Sequence, residues 1–169
     1  MTLQKIADFD RKMLVSIQQH IGCQRNDKLF RIITHLGDGG VVWILIGLIL
    51  VWERPTRVLG GQLLLTLGVA AIIANLIIKP LVGRIRPCNT VWFPNAFLQP
   101  MGYSFPSGHA MSSFAAAMIL SQLGGVIAPA ALILAILISF SRMYLQVHYP
   151  TDVAVGAGAG IAIAWFLMV

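Results

Sequence analysis

Charged residues are scarce in this sequence. Only 11% of its 169 residues are Asp, Glu, Lys or Arg, and 57% are hydrophobic, whereas a soluble globular domain carries about 25% charged residues. This composition excludes a disordered chain and an ordinary soluble enzyme, and it predicts a single membrane domain over residues 1–169.

Acidic residues are the rarer of the two charge types. The sequence holds 12 Lys and Arg against 6 Asp and Glu, a net charge of +6. An excess of positive charge suits partners such as anionic lipid or phosphate. Nucleic acid is not expected as a partner, because no basic cluster stands apart from the apolar runs.

Cysteine is nearly absent, and no secretion signal is visible. Cys23 and Cys88 are the two cysteines; they exclude a disulfide scaffold, offer no metal-ligand spacing, and are expected to be free thiols. Residues 1–10 contain Lys5, Asp8 and Asp10 without an apolar core, which is unlike a signal peptide.

Long apolar runs dominate the rest of the chain. The run 58–78 has 21 uncharged residues, and about 20 suffice to cross a bilayer. Shorter runs must borrow turns from flanking segments or thin the bilayer locally. The predicted fold class is an all-α integral membrane helix bundle with five transmembrane helices, at residues 41–52, 58–78, 109–123, 126–140 and 153–169.

Residues 1–39 are polar and amphipathic. One helix, opened by Asp8 or Asp10, is expected to have a single apolar side formed by Met13, Leu14, Ile17 and Ile21. A second helix repeats the pattern with Leu29, Phe30, Ile33 and Leu36. Both are too charged to span a bilayer, so we expect helices lying at the interface, with a soluble cap as the alternative. Residues 40–169 then form the transmembrane catalytic core.

The order of the helices predicts that the polar motifs meet at one membrane face. The second run ends at Lys79 and the third begins near His109. Two crossings later the chain returns to the same face, near Asp152. The intervening proline-rich and aromatic loop is uncommonly long, which favours a functional role, and we predict that residues 88–105 form a lid at headgroup level.

The first two motifs suit phosphate binding. Lys79 and Arg86 supply cations, and an arginine fork can hold two phosphate oxygens; Arg84 is expected to be a lipid-headgroup anchor instead. Ser107 and Gly108 precede a helix, whose free N–H groups attract anions. His109 beside that anion suits a general acid. Taken alone, each motif also fits a plain structural role.

The third motif suits a nucleophile. Arg142 adds a cation, and His148 lies four residues before Asp152, one helical turn if Pro150 starts a helix. Asp152 would then fix the tautomer of His148 and leave the other ring nitrogen free. A structural Asp–His pair is the alternative. A zinc site is disfavoured by the three neighbouring cations, and we expect no metal and no cofactor.

Together these motifs resemble the type-2 phosphatidic acid phosphatase (PAP2) superfamily of integral-membrane lipid phosphatases. Its signature is matched in order by Lys79-x6-Arg86-Pro87, Pro106-Ser107-Gly108-His109 and Ser141-Arg142-x5-His148-x3-Asp152. The family core commonly has six helices, whereas five spans and an amphipathic N-terminus are visible here.

The resemblance implies a metal-free mechanism through a phosphohistidine. His148 would attack phosphorus, Asp152 would orient it, and His109 would protonate the leaving oxygen and later activate water. The phosphoryl oxygens would be held by Lys79, Arg86, Ser107, Gly108 and Arg142. Clustered cations suit a transition state with charge on the equatorial oxygens.

The expected substrate is a lipid phosphate or pyrophosphate that enters from the surrounding membrane lipids. We favour undecaprenyl pyrophosphate, hydrolysed to undecaprenyl phosphate and phosphate, because three cations suit a diphosphate; phosphatidylglycerophosphate or phosphatidic acid is the alternative. Three alternative functions belong to other classes: a non-catalytic protein that binds anionic lipid, a vanadate-dependent haloperoxidase and a helix-bundle channel.

Two further expectations concern placement in the membrane. The resemblance implies a bacterial inner (cytoplasmic) membrane protein with its active site facing the outer side. That puts Arg54 and Arg57 inside, as the positive-inside rule requires, but leaves the basic N-terminus outside. Gly156 and Gly160 form a GxxxG pair, which favours close packing, either within the bundle or in a homodimer.

Overall fold

The computed structural model describes residues 3–90 and 100–168, and the regular elements in these ranges are all helical. The predicted α-helical bundle is therefore confirmed. The eight α-helices are α1 (Leu3–Ile21), α2 (Gln24–Leu36), α3 (Val41–Trp52), α4 (Arg57–Ile72), α5 (Lys79–Val82), α6 (Gly108–Leu120), α7 (Ile127–Tyr144) and α8 (Pro150–Met168).

Short irregular helices link several of these elements. A π-helical turn over Ile73–Ile78 joins α4 to α5, so residues 57–82 form one continuous rod. Extra-residue turns of this kind are frequent at functional sites. The 3₁₀ turns are Asp38–Gly40, Arg54–Thr56, Pro87–Asn89 and Ser121–Leu123.

The polar loop before α8 is shorter than predicted. It was expected over residues 141–151, but α7 continues to Tyr144 and α8 begins at Pro150. Ser141 lies within α7, where its Oγ donates to the Ile138 carbonyl oxygen at 2.6 Å. Pro150 suits the first helical position, where no N–H partner is needed. Residues 145–149 alone connect the two helices.

Helix α6 lies at the centre of the bundle and packs against α4, α7 and α8. Its face towards α8 depends on two glycines. A Cβ at Gly156 would lie 2.5 Å from the Ser107 carbonyl oxygen, and one at Gly160 would lie closer still to that of Met111. Both glycines are buried by this contact. The glycine pair therefore packs within the bundle, one of the two arrangements that the sequence left open. The homodimer stays a prediction.

The predicted count of five membrane spans is not confirmed. In the described residues, three helical segments are long and apolar enough to cross a bilayer: residues 54–89, 127–144 and 150–168. A fourth is counted if α2 and residues 38–52, which meet at 41°, form one bent span. The count of five is not reached, because α3 has 12 residues and α6 has 13.

The two N-terminal helices pack on the bundle. Helix α1 begins at Leu3, before Asp8 and Asp10, and contacts α7 and α8. Leu14 and Ile17 are buried as predicted, whereas Met13 and Ile21 are exposed. Helix α2 packs against α7, burying Phe30 and leaving Leu29 and Leu36 exposed. The predicted lid, 88–105, includes residues 91–99, which lie outside the described residues.

Candidate active site

Six of the eight predicted site residues line one elongated cavity of about 640 Å³. Its apolar part is lined by Ile44 from α3 and by Leu64, Leu67 and Gly68 from α4. Leu64 lies 15 residues before Lys79 on the same rod, a distance of about 22 Å at 1.5 Å per residue. The polar part is lined by Lys79, Arg86, Gly108, His109, Arg142 and His148. All three sequence motifs thus contribute residues to the same cavity.

His148 lies in the loop between α7 and α8 and is 98% buried, with 2% of its surface exposed. The loop is anchored because the Val147 and His148 amides both donate to the Arg142 carbonyl oxygen, at 3.1 and 3.2 Å. Arg86 Nη1 lies 3.1 Å from His148 Nε2. A guanidinium can only donate, so Nε2 accepts and the ring proton belongs on Nδ1.

His148 Nδ1 faces Asp152. The distance from Nδ1 to Asp152 Oδ2 is 3.6 Å, about 0.5 Å beyond a hydrogen bond, and Nδ1 has no other partner in the described part of the chain. Burial, helped by the nearby Arg142 and Arg86 cations, lowers the pKa of His148 to about 3 against the opposing effect of Asp152. The imidazole is therefore neutral at pH 7 and keeps a nucleophilic lone pair.

Asp152 is fully buried and fixed from several sides. Its Oδ2 accepts from the Tyr149 amide at 2.9 Å, and its Oδ1 accepts from Arg84 Nη1 at 2.6 Å. Its carbonyl oxygen accepts from the Ser107 amide at 3.0 Å, which ties the start of α8 to the start of α6. The contact with Arg84 corrects the expectation that Arg84 is a lipid anchor.

Arg84 connects the site to the N-terminal helix. Its Nη2 donates to Asp10 Oδ2 at 2.7 Å, and its guanidinium carbon lies 3.9 Å above the Tyr149 ring. Asp10 also accepts from the Thr151 amide at 3.0 Å and the Thr151 hydroxyl at 2.6 Å. A residue of α1 thus caps the first turn of α8, where free N–H groups favour a carboxylate.

The three predicted cations line the cavity, and none of them forms an ion pair with a carboxylate in the described part of the chain. Lys79 Nζ donates to Asn75 Oδ1 at 2.7 Å, and a Cβ at Gly108 would lie 3.9 Å from this ammonium. Arg142 donates through Nη1 to the Thr34 hydroxyl of α2. Its buried Nε has no partner in the described residues. Together these groups offer an anion several N–H donors close to the α6 N-terminus.

Ser107 does not line the cavity. It is fully buried, and its Oγ accepts from the Ala110 amide at 3.4 Å as the cap of α6. The structure therefore supports the capping role expected of Ser107 and gives it no direct exposure to the anion site. Gly108, which follows it, does line the cavity.

His109 meets a carboxylate that the motifs did not include. Its Nε2 lies 2.9 Å from Asp38 Oδ1, in the 3₁₀ turn before α3. The side chains of Asp38, Thr34 and Asp10 were all missed, because each contacts its partner across more than 70 residues of sequence. One signal was present: Asp10, Leu14 and Ile17 have the i, i+4, i+7 spacing of one helix face.

The described residues contain no group of three His, Cys, Asp or Glu side chains arranged to hold a metal ion. Cys23 is exposed and Cys88 is buried, and both are free thiols as expected. The chemistry visible at the site is that of a neutral histidine, a second histidine and three cations that line one cavity.

Comparison with known proteins decides the family. The sequence profile of the PAP2 superfamily matches residues 59–169. The chain belongs to the PAP2 superfamily. It is 36% identical over 129 residues to a decaprenylphosphoryl-5-phosphoribose phosphatase of Mycolicibacterium smegmatis, covering 75% of this chain and 68% of that protein. An undecaprenyl-diphosphatase of Sulfolobus acidocaldarius is 35% identical over 124 residues, covering 68% and 56%.

A solved structure of the same superfamily has the same fold. The transmembrane PAP2 type phosphatidylglycerolphosphate phosphatase of Bacillus subtilis superposes with a TM-score of 0.81 at 25% identity, covering 97% of this chain and 85% of that one. The predicted family, the PAP2 helix bundle and the phosphoric ester hydrolase class are thereby confirmed. This PAP2 chain is an integral membrane lipid phosphatase.

Proposed function

We propose that this PAP2 phosphatase hydrolyses a polyprenyl-linked phosphate or pyrophosphate without a metal, through a phosphohistidine at His148. The observation that carries the proposal is the position of His148 between Arg86 and Asp152 at the cavity. His148 is buried and neutral, with Nε2 beside Arg86 and Nδ1 towards Asp152, and His109 lines the same space.

The first half-reaction transfers the phosphoryl group to the enzyme. The lone pair of His148 Nε2 forms the N–P bond while the bond from phosphorus to the leaving oxygen breaks. His109 gives its proton to that oxygen, so the lipid leaves with a hydroxyl group in place of the broken P–O bond. Lys79, Arg86, Arg142 and the Gly108 amide hold the phosphoryl oxygens, and Ser107 supports them by capping α6.

The second half-reaction returns the enzyme to its starting state. His109, now neutral, takes a proton from water as the water oxygen attacks phosphorus. The N–P bond breaks, its electron pair returns to His148 Nε2, and inorganic phosphate leaves. Asp152 stabilises the imidazolium character that His148 acquires while it carries the phosphoryl group.

Undecaprenyl pyrophosphate is the first candidate substrate. The three cations suit a diphosphate, and the apolar part of the cavity, lined by Ile44, Leu64, Leu67 and Gly68, suits the start of a polyprenyl tail. Two relatives act, by their names, on decaprenyl and undecaprenyl lipids. A decaprenyl lipid that carries a phosphorylated sugar is therefore the second candidate, and phosphatidylglycerophosphate and phosphatidic acid are further ones.

Phosphate release from purified protein in detergent and EDTA tests this function. The substrates are undecaprenyl pyrophosphate, decaprenylphosphoryl-5-phosphoribose, phosphatidylglycerophosphate and phosphatidic acid, run side by side. We expect turnover in EDTA and a loss of at least about 10³-fold in His148→Ala. The lipid with the highest kcat/KM identifies the substrate. Release that needs a metal, or that persists in His148→Ala, would contradict the mechanism. Lipid binding without turnover would favour the non-catalytic class.

We further propose that the active site faces the outer side of the cytoplasmic membrane, supported by two arginines at the opposite end, Arg54 in the short turn and Arg57 at the start of α4. Cys23 is exposed and its amide contacts the Tyr144 hydroxyl, two residues beyond Arg142. A membrane-impermeant maleimide should therefore label Cys23 in intact cells. Labelling of Glu53→Cys in a Cys23→Ser background, with none at Cys23, would reverse the orientation.

A further inference from the structure

Asp38 connects two histidines at the edge of the active-site cavity. Its Oδ1 lies 2.9 Å from His109 Nε2, and its Oδ2 lies 2.7 Å from His35 Nδ1. Asp38 is itself half exposed, at 51%, whereas the His109 side chain is 17% exposed. The family profile begins at residue 59, so Asp38 and His35 lie outside the matched segment.

The backbone around Asp38 is shaped to fit His109. A Cβ at Gly37 would lie 2.7 Å from His109 Cδ2 and 2.6 Å from Ile138 Cγ2. Gly39 and Gly40 have φ angles of +59° and +72°, in the left-handed region that favours glycine. Residues without a side chain thus let the turn approach the imidazole closely enough for the carboxylate to reach it.

Among the groups around His109, the Asp38 carboxylate favours protonation of the imidazole. Burial acts most strongly against protonation of the imidazole, and the cations Arg142 on α7 and Lys79 on α5 act in the same direction, so the pKa of His109 is lowered. Asp38 acts in the opposite direction through a hydrogen bond and its negative charge. His35 lies beyond Asp38, with 66% of its side chain exposed. Without Asp38, the protonated form of His109 would face two cations and no contacting carboxylate from the described elements.

We infer that Asp38 is the positioning residue for the general acid and base His109. The carboxylate accepts the Nε2 proton, fixes the ring tautomer and stabilises the imidazolium, which leaves Nδ1 for exchange with the leaving oxygen and water. The inference rests on the proposed function, because it assigns a partner to the residue that transfers the proton there.

Leaving-group dependence tests this inference. Asp38→Asn is compared with wild type on a short-chain alkyl phosphate, whose leaving oxygen needs a proton, and on 4-nitrophenyl phosphate, whose leaving group does not. Because kcat/KM reports the steps up to phosphoryl transfer, we expect Asp38→Asn to lower it by about 10² on the alkyl ester. On the aryl ester the loss should stay below about threefold.

Two more measurements separate a positioning role from a structural one. In a His109→Asn background, Asp38→Asn should have almost no further effect, because it acts through a group already removed. On the alkyl ester, the basic limb of the pH profile of kcat/KM should move to lower pH in Asp38→Asn. Asp38→Glu should restore part of the activity. Glu53→Gln, which removes an exposed carboxylate at the far end, is the matched control and should match wild type.

Equal losses on both esters, or a full additional loss in the His109→Asn background, would overturn the inference and leave Asp38 a structural residue. The proposed function fails on a different result: a wild type that releases no phosphate, or a His109→Asn variant that is fully active on the alkyl ester. The two failures are therefore distinguishable within one set of assays.

Discussion

Single residues at this site owe their chemical state to neighbours from distant parts of the chain. Arg86 faces Nε2 of His148, Asp152 faces Nδ1, and the loop that holds the ring is anchored on the Arg142 carbonyl oxygen. A guanidinium that only donates leaves Nε2 as an acceptor. The imidazole is thus held as a neutral group with its lone pair beside the cations that would hold the phosphate.

The neutral state of His148 predicts how stability depends on pH. His148 lies in the loop outside the membrane spans, and burial lowers its pKa to about 3, against about 6.5 in an unfolded chain. Between these values the unfolded chain binds a proton that the folded chain does not. The free energy of unfolding therefore falls as the pH is lowered from about 6.5. His148→Gln lacks this titration.

Melting temperatures of wild type and His148→Gln in detergent, at pH 7.5 and pH 4.5, check this expectation. The wild type should lose more of its melting temperature over this interval than the variant, since all other titrating groups are common to both. Parallel losses would mean that folding leaves the proton affinity of His148 unchanged.

At the scale of elements, the N-terminal helices are part of the site rather than an attachment to it. Helix α1 supplies Asp10 to Arg84 and to the first turn of α8. Helix α2 supplies Thr34 to Arg142, and the turn after it supplies Asp38 to His109. Each helix of residues 3–36 therefore fixes a group that either lines the cavity or contacts Asp152.

Asp10→Asn tests the role of α1. Asp10 is fully buried and its partner Arg84 is 24% exposed, and removing one partner of a buried ion pair costs about 3 kcal/mol. We expect a lower melting temperature in detergent. We also expect a reduced kcat, because Arg84 keeps its contact with Asp152 but loses the Asp10 carboxylate that helps to position it. Asp8→Asn is the matched control: the same change, two residues away, at an exposed position. Equal melting temperatures for the two variants would show that α1 does not support the site.

The sequence could predict the motif residues but not the residues that hydrogen-bond to them, and the reason is physical. Lys79, His109 and His148 stand out because polar groups are costly in an apolar chain. Asp38 and Asp10 lie in an amphipathic segment, where a carboxylate is ordinarily explained by a solvated helix face. Arg84 resembled an anchor for the same reason, since nothing in the local pattern shows a partner 74 residues away.

Helix boundaries, too, could be predicted only where local sequence decides them. The uncharged run of α3 was predicted with its observed bounds, Val41–Trp52. Residues 141–144 were assigned to a loop because they are polar, yet Ser141, Arg142 and Tyr144 are buried inside α7. Tertiary contacts with α2 and the cavity decide this segment, and a hydrophobicity pattern does not contain them.

At the scale of the whole molecule, the cavity joins an apolar groove to a cationic end. Gly68 lines the apolar part, and a Cβ there would meet nothing within 4 Å. Gly68→Trp should fill the groove and displace the lipid tail. Losing the burial of two CH₂ groups, at about 0.8 kcal/mol each, lowers kcat/KM on the lipid by at least about tenfold. Hydrolysis of 4-nitrophenyl phosphate should be unchanged.

Gly61→Trp is the control for this variant. Gly61 lies seven residues earlier on α4, where a Cβ also meets nothing within 4 Å, but it does not line the cavity. If Gly61→Trp and Gly68→Trp impair the lipid reaction equally, or if the aryl phosphate reaction also fails, the groove does not hold the tail.

Trapping the phosphoryl group on His148 tests the proposed phosphohistidine mechanism. The terminal phosphate of undecaprenyl pyrophosphate is radiolabelled, mixed with enzyme in EDTA and quenched in alkali within milliseconds, since phosphohistidine survives base. We expect protein-bound label at His148 in the wild type, none in His148→Ala, and release of the label as phosphate on longer incubation. Turnover by the wild type without protein-bound label, or label retained in His148→Ala, would contradict this mechanism.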